Sequence, residues 1–222
     1  MITSGEPTSA SSVTEGDEET MSVRALALCG SPRAASNTET YLRAALDVLR
    51  GHEIETELVT LRGKTIHSCQ ACYACWRPGA GVCQIQDDDF LPVFEKMLAA
   101  DALIVGSPVH YSAVHPDLWN VLVRAGFPGM AGHPHSAPRP FARKIGGPIT
   151  VARRAGQNFA LAQLLLWFNI NGFVVPGSIY WPVGVARSVG DAAKDSEGIE
   201  TVIQFAENVA WLLETTRTSR PS

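Results

Sequence analysis

Short apolar runs alternate with amphipathic stretches five times along this chain, and that alternation restricts the fold more than any other feature. Arg24–Cys29 (RALALC) reads as a buried strand, and Glu39–Arg50 as a helix with Leu42, Leu46 and Leu49 at i, i+4, i+7 on one face. Ile54–Leu61 predicts a second strand. A helix over 87–100 then opens on Asp87, Asp88 and Asp89, acids placed at its positive end. Ala102–Gly106 is all apolar, as a strand covered on both faces should be. Pro116 opens a helix through Arg124, Pro148–Ala152 is a fourth strand, and Asn158–Asn171 is a helix apolar nearly all round. Phe173–Ile179 supplies the fifth strand and 196–215 the last helix. The pattern implies an α/β fold with a five-stranded, parallel, doubly wound sheet and helices on both faces. Ligands of such sheets lie beyond the carboxyl ends of the strands. The loops 30–38, 107–114 and 153–157 should therefore gather at one end.

The first of these loops carries the clearest chemistry. Gly30 to Thr38 is small and hydroxylated, with one fixed cation, Arg33. A helix N-terminus leaves N–H groups unpaired and partly positive, so a strand–loop–helix corner of this composition suits a phosphate. Ser31, Ser36 and Thr38 can donate hydroxyls to its oxygens. Ser36 followed by Glu39 also spells a capping box, and both roles can share one loop.

Length and composition bound the rest. At 222 residues, 45% hydrophobic and 18% charged, the chain is long enough to bury a full core. A net charge of −4 argues against a nucleic-acid partner. No apolar run reaches a membrane span: Phe159–Ile170 is too short and contains Gln163 and Asn169. Residues 1–21 are Ser, Thr, Glu and Gly with few apolar side chains, and no basic region precedes an apolar one. They predict a disordered tail rather than a signal peptide, with Met21 a candidate internal start. The folded domain is expected over 22–216, with a short tail at 217–222.

Five cysteines, four of them within fifteen positions, do not make a disulfide framework in a chain of this size. They point to a reducing compartment, cytoplasm by default, and to a metal cluster or redox chemistry. Phe127–Gly147 holds many prolines and glycines and reads as an irregular surface segment, a lid or a partner contact. His133-Pro134-His135 inside it could be a metal pair, though with proline between the two and no acid or thiol beside it a loop is the better explanation. Trp167 and Phe168 belong to a core, and a helix apolar all round needs cover on every side, which a second subunit would supply.

GSPRAASNT after the first strand, GSPVHYSAV after the third and ARRAGQ after the fourth resemble, in that order, the flavodoxin-like NADPH-dependent FMN reductases. The cysteine loop followed by Gln84-Ile85-Gln86-Asp87-Asp88 resembles the branch that includes the iron–sulfur flavoproteins. The likeness spans about 23–213. It implies a flavodoxin-like fold and a bound FMN. Ser31, Arg33, Ser36, Asn37 and Thr38 would hold the phosphate. Pro108, Val109, His110, Tyr111 and Ser112 would line the isoalloxazine edge, and Arg153, Arg154, Ala155, Gly156 and Gln157 would approach its pyrimidine side or a neighbouring subunit's cofactor. Relatives usually carry Tyr or Trp at the place of His110, and Ser-Gly with a Lys where His115-Pro116-Asp117 stands. Those departures border the face on which a substrate would stack.

His110 could polarise a carbonyl or donate a proton, and Tyr111 has a similar claim. Cys69-x2-Cys72-x2-Cys75-x7-Cys83 has the ligand count of a [4Fe–4S] cluster, with packing or adventitious zinc as the alternative. The expected function is therefore an FMN-dependent oxidoreductase taking hydride from NADPH or NADH. Its acceptor would be a small molecule (a flavin, a quinone or another conjugated metabolite), and the chain would work as a homodimer or homotetramer. The alternatives are an iron–sulfur flavoprotein carrying electrons between proteins, and a redox-inert flavin-binding module.

Overall fold

A computed structural model describes residues 22–130 and 139–217. The expected N-terminal tail, all but the first residue of the expected C-terminal one, and His133-Pro134-His135 lie outside the described residues.

Alternating side chains on the first strand decide how the layers form. On β1 (Arg24–Cys29), Leu26 and Leu28 face one side while Ala25, Ala27 and Cys29 face the other, as a period of two requires. The leucine side packs with Phe90, Phe94, Leu118, Leu122, Leu164 and Phe168, contributed by α2 (Phe90–Ala99), α3 (Pro116–Gly126) and α4 (Gln157–Ile170). The alanine side admits α1 (Asn37–Gly51) and α5 (Ser196–Arg217) through Tyr41, Leu42, Leu46, Phe205 and Val209. Both faces of the sheet are thereby covered.

The strands β2 (Glu55–Thr60), β3 (Ala102–His110), β5 (Ile145–Ala152) and β6 (Val183–Val185) run parallel to β1 in the order β2-β1-β3-β5-β6. A short β4 (Ala113–Val114) folds back antiparallel on the end of β3. The order reverses between β1 and β3, so the loops after these two strands flank the switch point. The five-stranded parallel sheet expected from the alternation is present.

Three expectations need correction. β3 does not stop at Gly106 but runs on to His110, with Ser107 opposite Thr150 and Pro108 opposite Val151. β1 accompanies β3 only as far as Gly106, so Pro108 lies where one side of β3 has become an edge, and its missing N–H breaks no ladder. The fifth strand is not Phe173–Ile179. Only Val174 pairs, in an isolated bridge to Ile145, and Phe173 is drawn into an aromatic cluster with Phe141, Trp167 and Phe168. Pro176 and Gly177 then carry the chain away, and the strand forms later, over three residues. The acids 87–89 also lie before α2 rather than in its first turn. Asp88 and Asp89 instead accept backbone N–H bonds from His67, Phe90 and Thr65.

Candidate functional site

The loop after β1 enters α1 with Ser36 as its cap. The Ser36 hydroxyl accepts from the Glu39 N–H at 3.2 Å, which accounts for the capping half of the expectation. Ser31, Ser36 and Thr38 are buried, while Arg33 is exposed above them. Beneath lies Cys29, its thiol pushed up in pKa by burial. Asn37, expected at the phosphate, also links two loops. Its side chain donates to Ser188 O at 2.7 Å and accepts from the N–H groups of Gly190 and Ala192 at 3.1 and 3.2 Å. It thereby ties the loop after β6 to the start of α1.

The loop after β3 is a two-residue hairpin, with His110 opposite Ala113 and Val109 opposite Val114. Both tip residues sit at positive φ, Tyr111 at 50° and Ser112 at 63°. Such turns favour Asn and Gly, and neither is present here, so the tip holds local strain. His110 packs edge to face against His115 with ring centroids 4.9 Å apart. His115 is buried at the cap of α3, and its Nδ1 has no hydrogen-bond partner, Asp117 being 3.8 Å away. Burial pushes the His115 pKa down by more than Asp117 raises it, and His110 lowers it further.

The loop after β5 ends at Gly156 with φ of 93°. A Cβ at this position would lie 2.6 Å from Ser112 Oγ, so only glycine lets the two loops touch.

These loops meet at the carboxyl ends of the strands around a cavity of about 500 Å³. Ser31, Arg33, Ser36, Asn37 and Thr38 line one part of it, Pro108, Val109 and His110 another, and Arg153 a third. Tyr111, Ser112, Arg154 and Ala155 line instead an adjoining cleft of about 340 Å³, which shares Val109 and Arg153 with the larger one. Gly156 and Gln157 line neither. Sequence reasoning missed a fourth contributor: Ala186, Arg187, Ser188 and Val189, from the loop after β6, close the large cavity. The pairing of a cation with a hydroxyl in Arg187-Ser188 repeats the chemistry of the first loop and was the available signal.

The loop is fastened at a second point. Asp195 accepts from Tyr41 Oη at 2.5 Å and from the N–H groups of Val185 and Gly198. Burial works against the Asp195 charge, yet these bonds hold its pKa below the usual range, while burial and the acid together push the Tyr41 phenol up.

The cysteine loop is a separate structure. Cys75 is buried, Cys72 exposed, and Cys69 and Cys83 intermediate. Burial raises the Cys75 thiol pKa, and Cys83, Cys69 and Cys72 push the same way. The four thiols share one neighbourhood, yet among the described residues no three ligating side chains converge as a metal ion requires. Trp167 and Phe168 are core, as expected.

A family model for NADPH-dependent FMN reductases matches residues 23–188. An iron–sulfur flavoprotein of Methanocaldococcus jannaschii is 30% identical over 195 residues, covering 85% of this chain and 96% of that one. Another, from Methanosarcina thermophila, is 30% identical over 198 residues, with 87% and 96% covered. Among solved structures, RosB superimposes with a TM-score of 0.70 at 20% identity, over 89% of this chain and 81% of its own. A WrbA-like flavodoxin from Agrobacterium tumefaciens gives 0.61 at 14% identity, over 87% and 99%. The last two share the fold. With a sheet of flavodoxin order and a family match over most of its length, the chain belongs to the NADPH-dependent FMN reductase family and is an FMN-dependent oxidoreductase.

Proposed function

We propose that NADPH or NADH is the electron donor, that a small conjugated molecule such as a flavin or quinone is the acceptor, and that FMN occupies the cavity of about 500 Å³. One observation carries this assignment. The Arg33 and Arg187 side chains and the Thr38 hydroxyl converge there, and none of these side chains makes a hydrogen bond or salt bridge among the described residues. Such a set fits a phosphate, and Pro108, Val109 and Val151 beside it offer an apolar wall for a ring. Bound there, FMN would supply a ring system able to accept and release two electrons.

The protein's own part is to hold and to exclude. Arg33 and the amides at the start of α1 neutralise the phosphate, with Ser31 and Thr38 directed at its oxygens. Asn37 and Asp195 keep the 186–192 loop closed over it. His110, at the cavity wall, is placed to give a proton to a reduced acceptor, with buried His115 fixing its ring. α4 presents Phe159, Leu166 and Ile170 to solvent, and a second copy of the chain is the proposed cover, giving a homodimer or homotetramer. No helix among the described residues is long and apolar enough to cross a membrane, and the reducing cytoplasm suits five free cysteines.

The test is spectroscopic. Protein purified without oxygen should contain one FMN per chain, and NADPH or NADH should bleach its visible flavin bands. Loaded protein bleached by neither donor would sink the proposal. A second reading, electron carriage between proteins, is favoured by the four-cysteine loop and by the name the relatives carry. Stoichiometric iron in the same sample would move it to first place.

A further inference from the structure

Two histidines and an acid stand in a row behind the wall of the large cavity. His110 lines that cavity at the end of β3. His115, at the cap of α3, is buried and meets the His110 ring edge to face, the centroids 4.9 Å apart. Asp117, in the first turn of α3, brings Oδ2 to 3.8 Å from His115 Nδ1 and keeps 44% of its side chain exposed. The row leads from the cavity, through a buried ring, to a carboxylate in contact with solvent.

His115 is held there by its backbone and not by its ring. Its N–H donates to the buried Ser107 Oγ at 3.0 Å, and the N–H of Val114 beside it donates to Gln163 Oε1 at 3.1 Å. The ring nitrogen Nδ1 has no hydrogen-bond partner. A buried polar atom left unpaired costs stability, a cost that an apolar ring in the same place would not carry. Burial biases the ring towards its uncharged form; of the two charged groups that reach it, Asp117 opposes this bias and His110 adds to it. An uncharged imidazole donates from one nitrogen and accepts at the other, so it can take up a proton on one side and release one from the other.

Reduction of the proposed acceptor consumes such a proton. NAD(P)H brings a hydride, and the balance is NAD(P)H + H⁺ + acceptor → NAD(P)⁺ + reduced acceptor carrying two hydrogens. An acceptor lying against the cavity wall would cover His110, and covering a charged imidazole with a neutral ring is unfavourable. A proton that arrives from behind, once the acceptor is seated, avoids that cost.

We propose that Asp117 and His115 are positioning residues that form a proton path to His110. As the His110 N–H bond breaks, the proton bonds to the acceptor; His110 recovers a proton from His115, His115 recovers one by way of the Asp117 carboxyl, and water is the source. A small turn of each ring, or one bridging water, closes the gaps. The proposal rests on the reading of His110 and the large cavity given above.

One test needs no flavin. In flavin-free protein with ¹⁵N-labelled histidine, Asp117→Ala should shift the His115 Nδ1 resonance near neutral pH, and His115→Phe should shift those of His110, with the rest of the spectrum in place. The second test uses FMN-loaded protein, reduced by the donor and then mixed with a quinone in an anaerobic stopped-flow cell. Asp117→Ala should slow the return of the visible flavin bands at least about tenfold, within the worth of general acid catalysis, and enlarge the solvent deuterium isotope effect. Bleaching by the donor should keep its wild-type rate, because that step draws no proton from this row. A His115 signal indifferent to Asp117→Ala would overturn the proposal. So would a wild-type rate of return, or an equal slowing of both steps, which would mark Asp117 as structural only. Protein that takes up no FMN, or that neither donor bleaches, would sink the reading of the cavity and the proposal with it, and the histidine signals tell that failure from a failure of the path.

Discussion

Arg124 Nε lies 3.3 Å from Cys83 Sγ, while the same guanidinium grips both carboxylate oxygens of Asp88. Its remaining donors reach the carbonyls of His67 and Ile85, and its flat face covers the Phe90 ring at 4.1 Å. One side chain on α3 thus organises both ends of the cysteine loop. Neither Arg124 nor Asp88 exposes any side-chain surface. Burial opposes the Asp88 charge, but Arg124 and two backbone N–H groups hold its pKa below the usual carboxylate range.

Removing one partner of such a pair leaves the other charge buried and alone. Asp88→Ala should therefore lower unfolding stability by roughly 3–5 kcal/mol in urea titrations. Cys75 and Cys83 should become open to a thiol reagent in the same variant. A variant of wild-type stability with unchanged thiol reactivity would show that the loop has other anchors.

Loss of the Arg33 guanidinium should fall on the phosphate and not on the ring. Arg33→Ala is expected to weaken FMN about tenfold to a hundredfold, the worth of a charge-assisted hydrogen bond, and to leave riboflavin binding nearly unchanged. Ser36→Ala is the less clean variant, because the cap it removes is worth about 1 kcal/mol of stability in its own right. Equal losses for the two flavins would deny the loop its phosphate.

Asn37→Ala should open the cavity from the opposite side. The side chain satisfies one carbonyl and two N–H groups of the 188–192 segment, so its loss costs roughly 1–3 kcal/mol. FMN affinity should fall, and protease should cut within 186–192 faster in flavin-free protein. Unaltered cleavage would mean that Asp195 alone holds the loop.

What could be read in the sequence follows from the range of each interaction. β1, α1 and the apolar core of β3 announce themselves by period, because Leu26, Leu28, Leu42 and Leu46 are buried by their own elements' geometry. The hydroxyls and the arginine of the first loop were legible because a strand–loop–helix corner is local. β6 was not: three residues are too few for any period, and FVV at 173–175 carries a stronger β signature although its Phe173 is drawn into the core. The bonds from Asn37 to the 188–192 segment could not be read, because those partners lie about 150 positions away. Arg124 reads in the sequence only as the end of the helix that Pro116 opens, since its role depends on a loop 36 to 57 residues earlier.

A last prediction concerns the far end of α1. His52 bonds Glu214 Oε1 through Nδ1 at 2.8 Å and Glu207 Oε2 through Nε2 at 2.9 Å, joining the end of α1 to α5. Only the protonated ring can donate from both nitrogens, and hydrogen bonds to Glu207 and then Glu214 raise its pKa. A histidine whose folded pKa is raised stabilises the fold fully below its unfolded value of about 6.5, and that contribution fades as pH climbs through the folded value. Wild type should therefore exceed His52→Gln in melting temperature at about pH 6 by more than at about pH 9, with the gap closing between. The pair is partly exposed, so added salt should also narrow the gap. A difference that stayed constant across that range, or widened with pH, would show that His52 acts through packing and not through its charge.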